Sequence, residues 1–226
     1  MLLHIEQVLS AAELADINAM LRDGEFSDGR ATAGYQSAAV KRNLQLPEHS
    51  ALAGKLGDRV LAALERCSRF SSAALPRRIC RPLFSCYTPG MYFGDHADNA
   101  IRGGVNPMRA DVSVTLFLSE PADYDGGELI INDAYGAHHV KLSAGDLLLY
   151  PSGSLHRVSE VTRGARRVCF FWIQSMIRDN AQRQMLYELD QAIMGLQRRE
   201  GCHDGSPEIL SLINCYHNLL RLWAEV

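Results

Sequence analysis

The chain has no C-x-x-C pair, and its six cysteines (Cys67, Cys80, Cys86, Cys169, Cys202 and Cys215) are spaced irregularly through 226 residues. A chain of this length needs no disulfide scaffold, so reduced thiols are expected. It also lacks a basic excess. A formal charge of -3 and a pI near 6.2 give no electrostatic reason to expect nucleic acid or an anionic membrane as partner, which leaves a small-molecule or a protein or peptide substrate. No apolar run reaches membrane-spanning length. Met1 to Leu21 carries His4, Glu6, Glu13 and Asp16, so it lacks the basic start and apolar stretch of a signal peptide, and a cytoplasmic location is expected. Internal repeats and low-complexity tracts are absent as well.

What is present is one domain's worth of core, 47% hydrophobic and 22% charged, organised in three stretches. Residues 1–77 read as a supporting region of helices and a strand. Ser10 and Glu13 form a capping box before Leu14, Ile17 and Leu21, predicting a helix to about Arg22. Val40 to Leu46 reads as a strand ended by Pro47, and Ser50 to Phe70 as a second helix. Residues 78–177 change to short β-rich runs: Leu83 to Tyr87, Asp111 to Leu118, Glu128 to Asn132, His139 to Leu142, Asp146 to Tyr150, Leu155 to Val158 and Arg167 to Ile173. Turn signals separate them, among them Thr88-Pro89-Gly90 and Asp125-Gly126-Gly127. Seven short strands without intervening helices predict an antiparallel sandwich or barrel such as a double-stranded β-helix, the jelly roll. Residues 178–226 turn helical again, from about Asp179 to Arg199 and from Ser206-Pro207 to about Trp223. The fold class is therefore α+β with a mainly β core, N-terminal helices packed on it and a C-terminal helical extension. Apolar stripes on the last two helices (Met185, Leu189, Ile193, Leu196; Leu212, Tyr216, Leu219, Trp223) serve either packing within the monomer or a homodimer interface.

The chemistry-bearing pattern is His96-Ala97-Asp98 followed by a distant His156. Two histidines and one carboxylate occupy three positions of an Fe(II) ion and leave the rest for a bidentate keto acid and O2. Residues i and i+2 of an extended segment project to one side, so His96 and Asp98 can converge. The dipeptide spacing alone is weak, because eight histidines and 26 acidic residues in 226 give roughly one such match by chance. His4 and Glu6 are a second match, without a partner histidine on a later strand. Context raises the first. His156 follows the turn Pro151-Ser152-Gly153-Ser154, and Arg166 comes ten residues later at the start of a strand whose same-face neighbours are Val168, Phe170 and Trp172. A guanidinium beside an apolar lining suits the distal carboxylate of 2-oxoglutarate. Taken without the ligands, Arg157, Arg163, Arg166 and Arg167 read as exposed charges around a hairpin. Tyr87, nine residues before His96, is placed either to reach that carboxylate or to sit half-buried with a solvated hydroxyl. His138 and His139 are adjacent and would face opposite sides of a strand, so a surface loop is the better reading. Cys169 reads as a small buried hydrophobe.

These residues resemble a known family. Cys86-Tyr87 and Gly90 before His96-Ala97-Asp98-Asn99-Ala100, the run from Ser113 through Asp125-Gly126-Gly127-Glu128-Leu129, Gly145-Asp146-Leu147, Tyr150-Pro151-Ser152, His156-Arg157-Val158, Val161 to Arg166 and Phe171 to Ser175 look like the bacterial PKHD-type hydroxylases. The likeness touches Val40-Lys41 and Asn43-Leu44-Gln45 as well. It implies a jelly-roll Fe(II)/2-oxoglutarate oxygenase related to prolyl and lysyl hydroxylases, with L-ascorbate keeping iron reduced. Position by position, it implies His96, Asp98 and His156 as iron ligands and Arg166 as the 2-oxoglutarate anchor. The loop Thr88 to Gly94 is less glycine-rich than the family pattern, and Cys86 stands where arginine is expected, which implies an altered mouth. Members are often linked with iron uptake. The implied reaction couples decarboxylation of 2-oxoglutarate to succinate and CO2 with hydroxylation of a substrate that these residues do not identify. Two rivals use the same three ligands: a zinc hydrolase, which would leave Arg166 without a role and needs an unidentified general base, and a non-catalytic iron or 2-oxoglutarate sensor.

Overall fold

The Ser10 hydroxyl accepts from the Glu13 amide while the Glu13 carboxylate accepts from the Ser10 amide, closing the anticipated capping box at the start of a helix. In the computed structural model, which describes residues 1–32, 34–199 and 206–226, the chain runs as follows. The first part comprises β1 (Leu3–Ile5), α1 (Ala11–Arg22), β2 (Ser27–Asp28), α2 (Tyr35–Ala38), β3 (Lys41–Arg42), β4 (Leu44–Gln45), α3 (Ala51–Glu65) and α4 (Ser68–Ala74). The β core follows with β5 (Pro76–Ile79), β6 (Leu83–Tyr87), β7 (Tyr92–His96), β8 (Ile101–Arg102), β9 (Met108–Arg109), β10 (Val112–Phe117), β11 (Tyr124–Gly126), β12 (Leu129–Asp133), β13 (Gly136–Val140), β14 (Leu147–Pro151), β15 (His156–Val158), β16 (Val161–Gly164) and β17 (Arg166–Ser175). Two helices, α5 (Asn180–Gln197) and α6 (Pro207–Trp223), end it.

Two antiparallel sheets face each other. The larger runs β1-β14-β10-β17-β6-β4-β2, with β5 also on β17, and the smaller runs β13-β12-β15-β7-β3. Period-two alternation assigns each face of the larger sheet. Val112, Val114 and Leu116 on β10, Leu147 and Leu149 on β14, and Cys169, Phe171 and Ile173 on β17 pack against Ile17, Leu21, Leu56, Val60 and Leu64 of α1 and α3. The intervening residues, including Phe117, Leu148, Tyr150 and Val168, turn inward and meet Leu129, Ile131, Val140 and Val158 of the smaller sheet. Both faces of the larger sheet are thus covered. Its central strands are the most buried, β10 and β6 at every position, while the edge strand β2 is exposed.

Several elements differ from expectation for identifiable reasons. The strand expected over Val40 to Leu46 splits at Asn43: Lys41 registers with Phe93 in the smaller sheet and Leu44 with Cys86 in the larger. The buried Asn43 side chain donates to Ser85 Oγ at that crossing, 3.1 Å away. The second helix breaks at Cys67, whose extended backbone separates α3 from α4 and lets Phe70 turn into the core. The strand expected at His139 to Leu142 begins earlier, at Gly136, because Asp133 Oδ1 accepts from the Tyr135 amide and closes a hairpin there. His138 and His139 therefore lie on a strand, each hydrogen-bonded locally, to Asp133 and Glu128. Asp125-Gly126 is no simple turn. It lies in β11, bulged against β16.

The C-terminal stripe is used inside the chain, with Tyr216, Leu219 and Trp223 packing on Leu75, Ile177 and Leu186. Ser72 Oγ donates to Asp190, and Arg69 Nε to the Tyr187 hydroxyl, tying α4 to α5. Cys67, Cys80, Cys86, Cys169 and Cys215 are free thiols; Cys202 lies outside the described residues. Among those residues, no helix is long and apolar enough to cross a membrane.

Candidate metal and co-substrate site

The strand β7, not foreseen from the sequence, carries His96 at its end, and β15 pairs with it so that His156 registers with His96. Asp98 follows on the loop two residues on. One ligand atom each from His96, Asp98 and His156 lies within 4.8 Å of the others. His156 Nε2 is 3.8 Å from Asp98 Oδ2, and the two imidazole centroids are 4.2 Å apart.

Backbone carbonyls hold both rings by their other nitrogen. His96 Nδ1 donates to the Gly94 carbonyl at 2.8 Å and His156 Nδ1 to that of Ser154 at 2.9 Å. Each Nε2 is thereby the free lone pair turned toward Asp98, as a metal-binding imidazole requires. Ser113 Oγ, 2.5 Å from Asp98 Oδ2 and 2.8 Å from Ser152 Oγ, steadies the carboxylate. Phe93 stacks on His96 at 3.6 Å, and Tyr150 meets His156 edge-on. Burial first, and then the charge of His156, pull His96 down from an ordinary 6.5 to about 4. It is neutral and ligand-competent at physiological pH.

The opposite wall belongs to the larger sheet. Arg166 opens β17 and registers with Tyr87 on β6. It is 1% exposed, yet its Nε has no hydrogen-bond partner and, among the described residues, no carboxylate pairs with it. Its guanidinium lies 5.2 Å from the Tyr87 ring centroid and 5.7 Å from that of Phe117. Burial of an uncompensated cation costs several kcal/mol unless an anion completes it. His96, Asp98, His156, Arg166, Tyr87, Ser113, Thr115 and Val168 all line one cavity of about 510 Å³ including its open mouth. The donor set and a buried guanidinium whose Nε is unbonded and with which no carboxylate pairs among the described residues fit Fe(II) and a dicarboxylate co-substrate.

Of the positions singled out in the sequence, His96, Asp98, His156, Arg166 and Tyr87 come together here. His4 does not; it pairs with Asp146 at the far edge of the larger sheet. Cys86 sits on the opposite strand face from Tyr87, on the side of Phe84, and is not among the residues that line the cavity. Sequence reasoning missed Ser113 and also Lys41, which lines the same cavity. The alternation of Val112-Ser113-Val114-Thr115, with hydroxyls on one face of an otherwise apolar strand, was the signal for the first.

Residues 82–174 match the 2OG-Fe(II) oxygenase superfamily and residues 180–225 the PKHD-type hydroxylase C-terminal domain. The chain is 56% identical over 231 aligned positions, covering all of both chains, to PKHD-type hydroxylase XCV3086 of Xanthomonas euvesicatoria. It is 52% identical over 229, again in full, to PKHD-type hydroxylase PiuC of Pseudomonas aeruginosa. Two solved structures share the fold: a Pseudomonas putida prolyl-4-hydroxylase (TM-score 0.53, 22% identity, 77% of this chain and 92% of that one) and a Trichoplax adhaerens prolyl hydroxylase in complex with a hypoxia-inducible-factor peptide (TM-score 0.55, 17% identity, 82% and 86%). With full-length identity above one half to hydroxylases of this name, and an oxygenase-family match across the sheets that carry the cavity, the chain belongs to the PKHD-type hydroxylases, jelly-roll dioxygenases dependent on Fe(II) and 2-oxoglutarate.

Proposed function

We propose that His96, Asp98 and His156 hold the iron, that Arg166 grips the distal carboxylate of 2-oxoglutarate, and that Tyr87 shapes the wall beside it. The observation that carries this reading is the buried, unpaired Arg166 facing the converged His-Asp-His cluster across one cavity. Bound there, iron supplies the oxidation that couples decarboxylation of 2-oxoglutarate to hydroxylation of a C–H bond. The chain itself does four things. The carbonyls of Gly94 and Ser154 fix the imidazole tautomers, Ser113 aims the carboxylate, Arg166 orients the co-substrate, and Phe93 and Val168 keep water from the reacting region. A zinc hydrolase would have no use for Arg166. The substrate is a small molecule or a protein side chain, and the absence of a basic surplus favours neither nucleic acid nor an anionic membrane. We place the protein in the cytoplasm, with ascorbate as the reductant that the family resemblance implies.

Succinate release from 2-oxoglutarate by anaerobically Fe(II)-loaded protein, beside His96→Ala and Arg166→Ala, tests the assignment. Loss of bound iron and turnover in the first, and a steeply raised 2-oxoglutarate requirement in the second, are expected. An Arg166→Ala protein with an unaltered 2-oxoglutarate requirement would remove Arg166 from the site.

A further inference from the structure

Outside the iron-binding cluster, the cavity continues into a mouth lined by Ser37, Lys41, Asn99, Arg102, Phe170 and Trp172, with Phe93, His96 and Asp98 forming its floor. Two cations converge on it from different elements. Lys41 comes from β3 and is 6% exposed; it donates to Gln45 at 3.2 Å and lies 5.3 and 5.8 Å from the Phe93 and Phe170 ring centroids. Arg102, on β8, stacks flat on Trp172 with its guanidinium carbon 3.3 Å from the ring centroid. Arg102 forms no ion pair among the described residues. Burial lowers the pKa of both, and Lys41 is held near 8 by its burial first and by Arg102 second. Asp98 is the acid within the mouth, and it is committed to the floor by Ser113.

A stacked guanidinium holds its edge N–H groups in a fixed plane, and those of Arg102 not turned to the Cys80 thiol are arranged to recognise a planar carboxylate, while the ammonium adds a point charge. The aromatic walls suit an apolar segment between that carboxylate and the floor. Building on the iron and 2-oxoglutarate reading above, we infer that the mouth is the substrate subsite and that it selects substrates bearing a carboxylate, held by Arg102 and Lys41 so that the neighbouring C–H group lies over His96 and Asp98. The carboxylate can belong to a small organic acid or to an acidic residue of a polypeptide; the recognition chemistry is the same.

The test is anaerobic titration calorimetry on the Fe(II)-loaded chain. 2-Oxoglutarate is titrated first. At saturating 2-oxoglutarate, phenylacetate is then compared with phenylacetamide, and acetyl-Gly-Glu-Gly-amide with acetyl-Gly-Gln-Gly-amide. The acid of at least one pair should bind tenfold or more tightly than its amide, and the pair that does so identifies the source of the carboxylate. Arg102→Gln and Lys41→Met should each abolish that preference, and Arg102→Lys should restore part of it, which a merely structural defect would not allow. Normal 2-oxoglutarate binding with no acid preference, or a preference that survives both neutral substitutions, overturns this inference alone. No 2-oxoglutarate binding by the wild-type chain overturns the underlying site assignment with it.

Discussion

At the scale of single residues, Arg166 sets a cost against a use. A buried ion exchanged for an apolar group of similar volume is often neutral or stabilising by about 1–4 kcal/mol. Arg166→Met is therefore expected to raise the melting temperature of the metal-free chain by about 5 °C, given about 2–4 °C per kcal/mol at this size, while eliminating 2-oxoglutarate binding. A lower melting temperature would mean that the guanidinium already has a compensating partner. Ser113 supports a second expectation. Its hydroxyl steadies Asp98 from 2.5 Å, and groups that orient metal ligands typically contribute 10–100-fold to metal affinity. Ser113→Ala should weaken Fe(II) or Mn(II) binding by that factor without unfolding the chain, measured by anaerobic competition with a chelating dye.

At the scale of elements, the β11–β16 bulge is where backbone geometry tolerates least. Gly126 has φ of +68°, and a Cβ there would lie 1.9 Å from the Glu160 carbonyl oxygen. Gly126→Ala should destabilise by at least about 2 kcal/mol, whereas Gly104→Ala, with nothing within 4 Å of the added carbon, should be near neutral in the same urea titration. Equal midpoints would contradict the bulge. The same region shows why some elements were legible in the sequence and others not. Strands covered on both faces, such as Leu83 to Tyr87, announce themselves as unbroken apolar or hydroxyl-bearing runs, and α1 announced itself by its cap. β7, β11 and β16 contain Gly94, Asp95, Asp125, Gly126, Arg163 and Gly164. Their strand character comes from partners far along the chain, and local propensity opposes it. The convergence of His96 and Asp98 was readable because i, i+2 spacing survives such disguise, while Lys41 was hidden in a segment that looks like one strand and is two.

At the scale of the whole molecule, burial of His96 couples folding to acidity. Its folded pKa is lowered to about 4 from an ordinary 6.5. Between those values the unfolded chain binds a proton that the folded, metal-free chain refuses, so the stability present above pH 6.5 is lost progressively as pH falls toward 4. Comparing urea midpoints at pH 7.5 and 5, the wild type should lose more than His96→Gln. Identical losses would place the acid sensitivity elsewhere.

On the proposed assignment the two sheets also divide the labour of holding the co-substrate. The His-Asp-His cluster comes from the smaller sheet and the loop after it, Arg166 from the larger, and the gap between the sheets is fixed by the side chains that fill it: Leu129, Ile131 and Val158 against Phe117, Leu148 and Val168. That gap works as a calliper. A keto diacid one carbon shorter, oxaloacetate, leaves either the metal or the guanidinium unreached, and one a carbon longer, 2-oxoadipate, must buckle, so neither should support turnover; the measure of the co-substrate is written in the hydrophobes that line and back the gap.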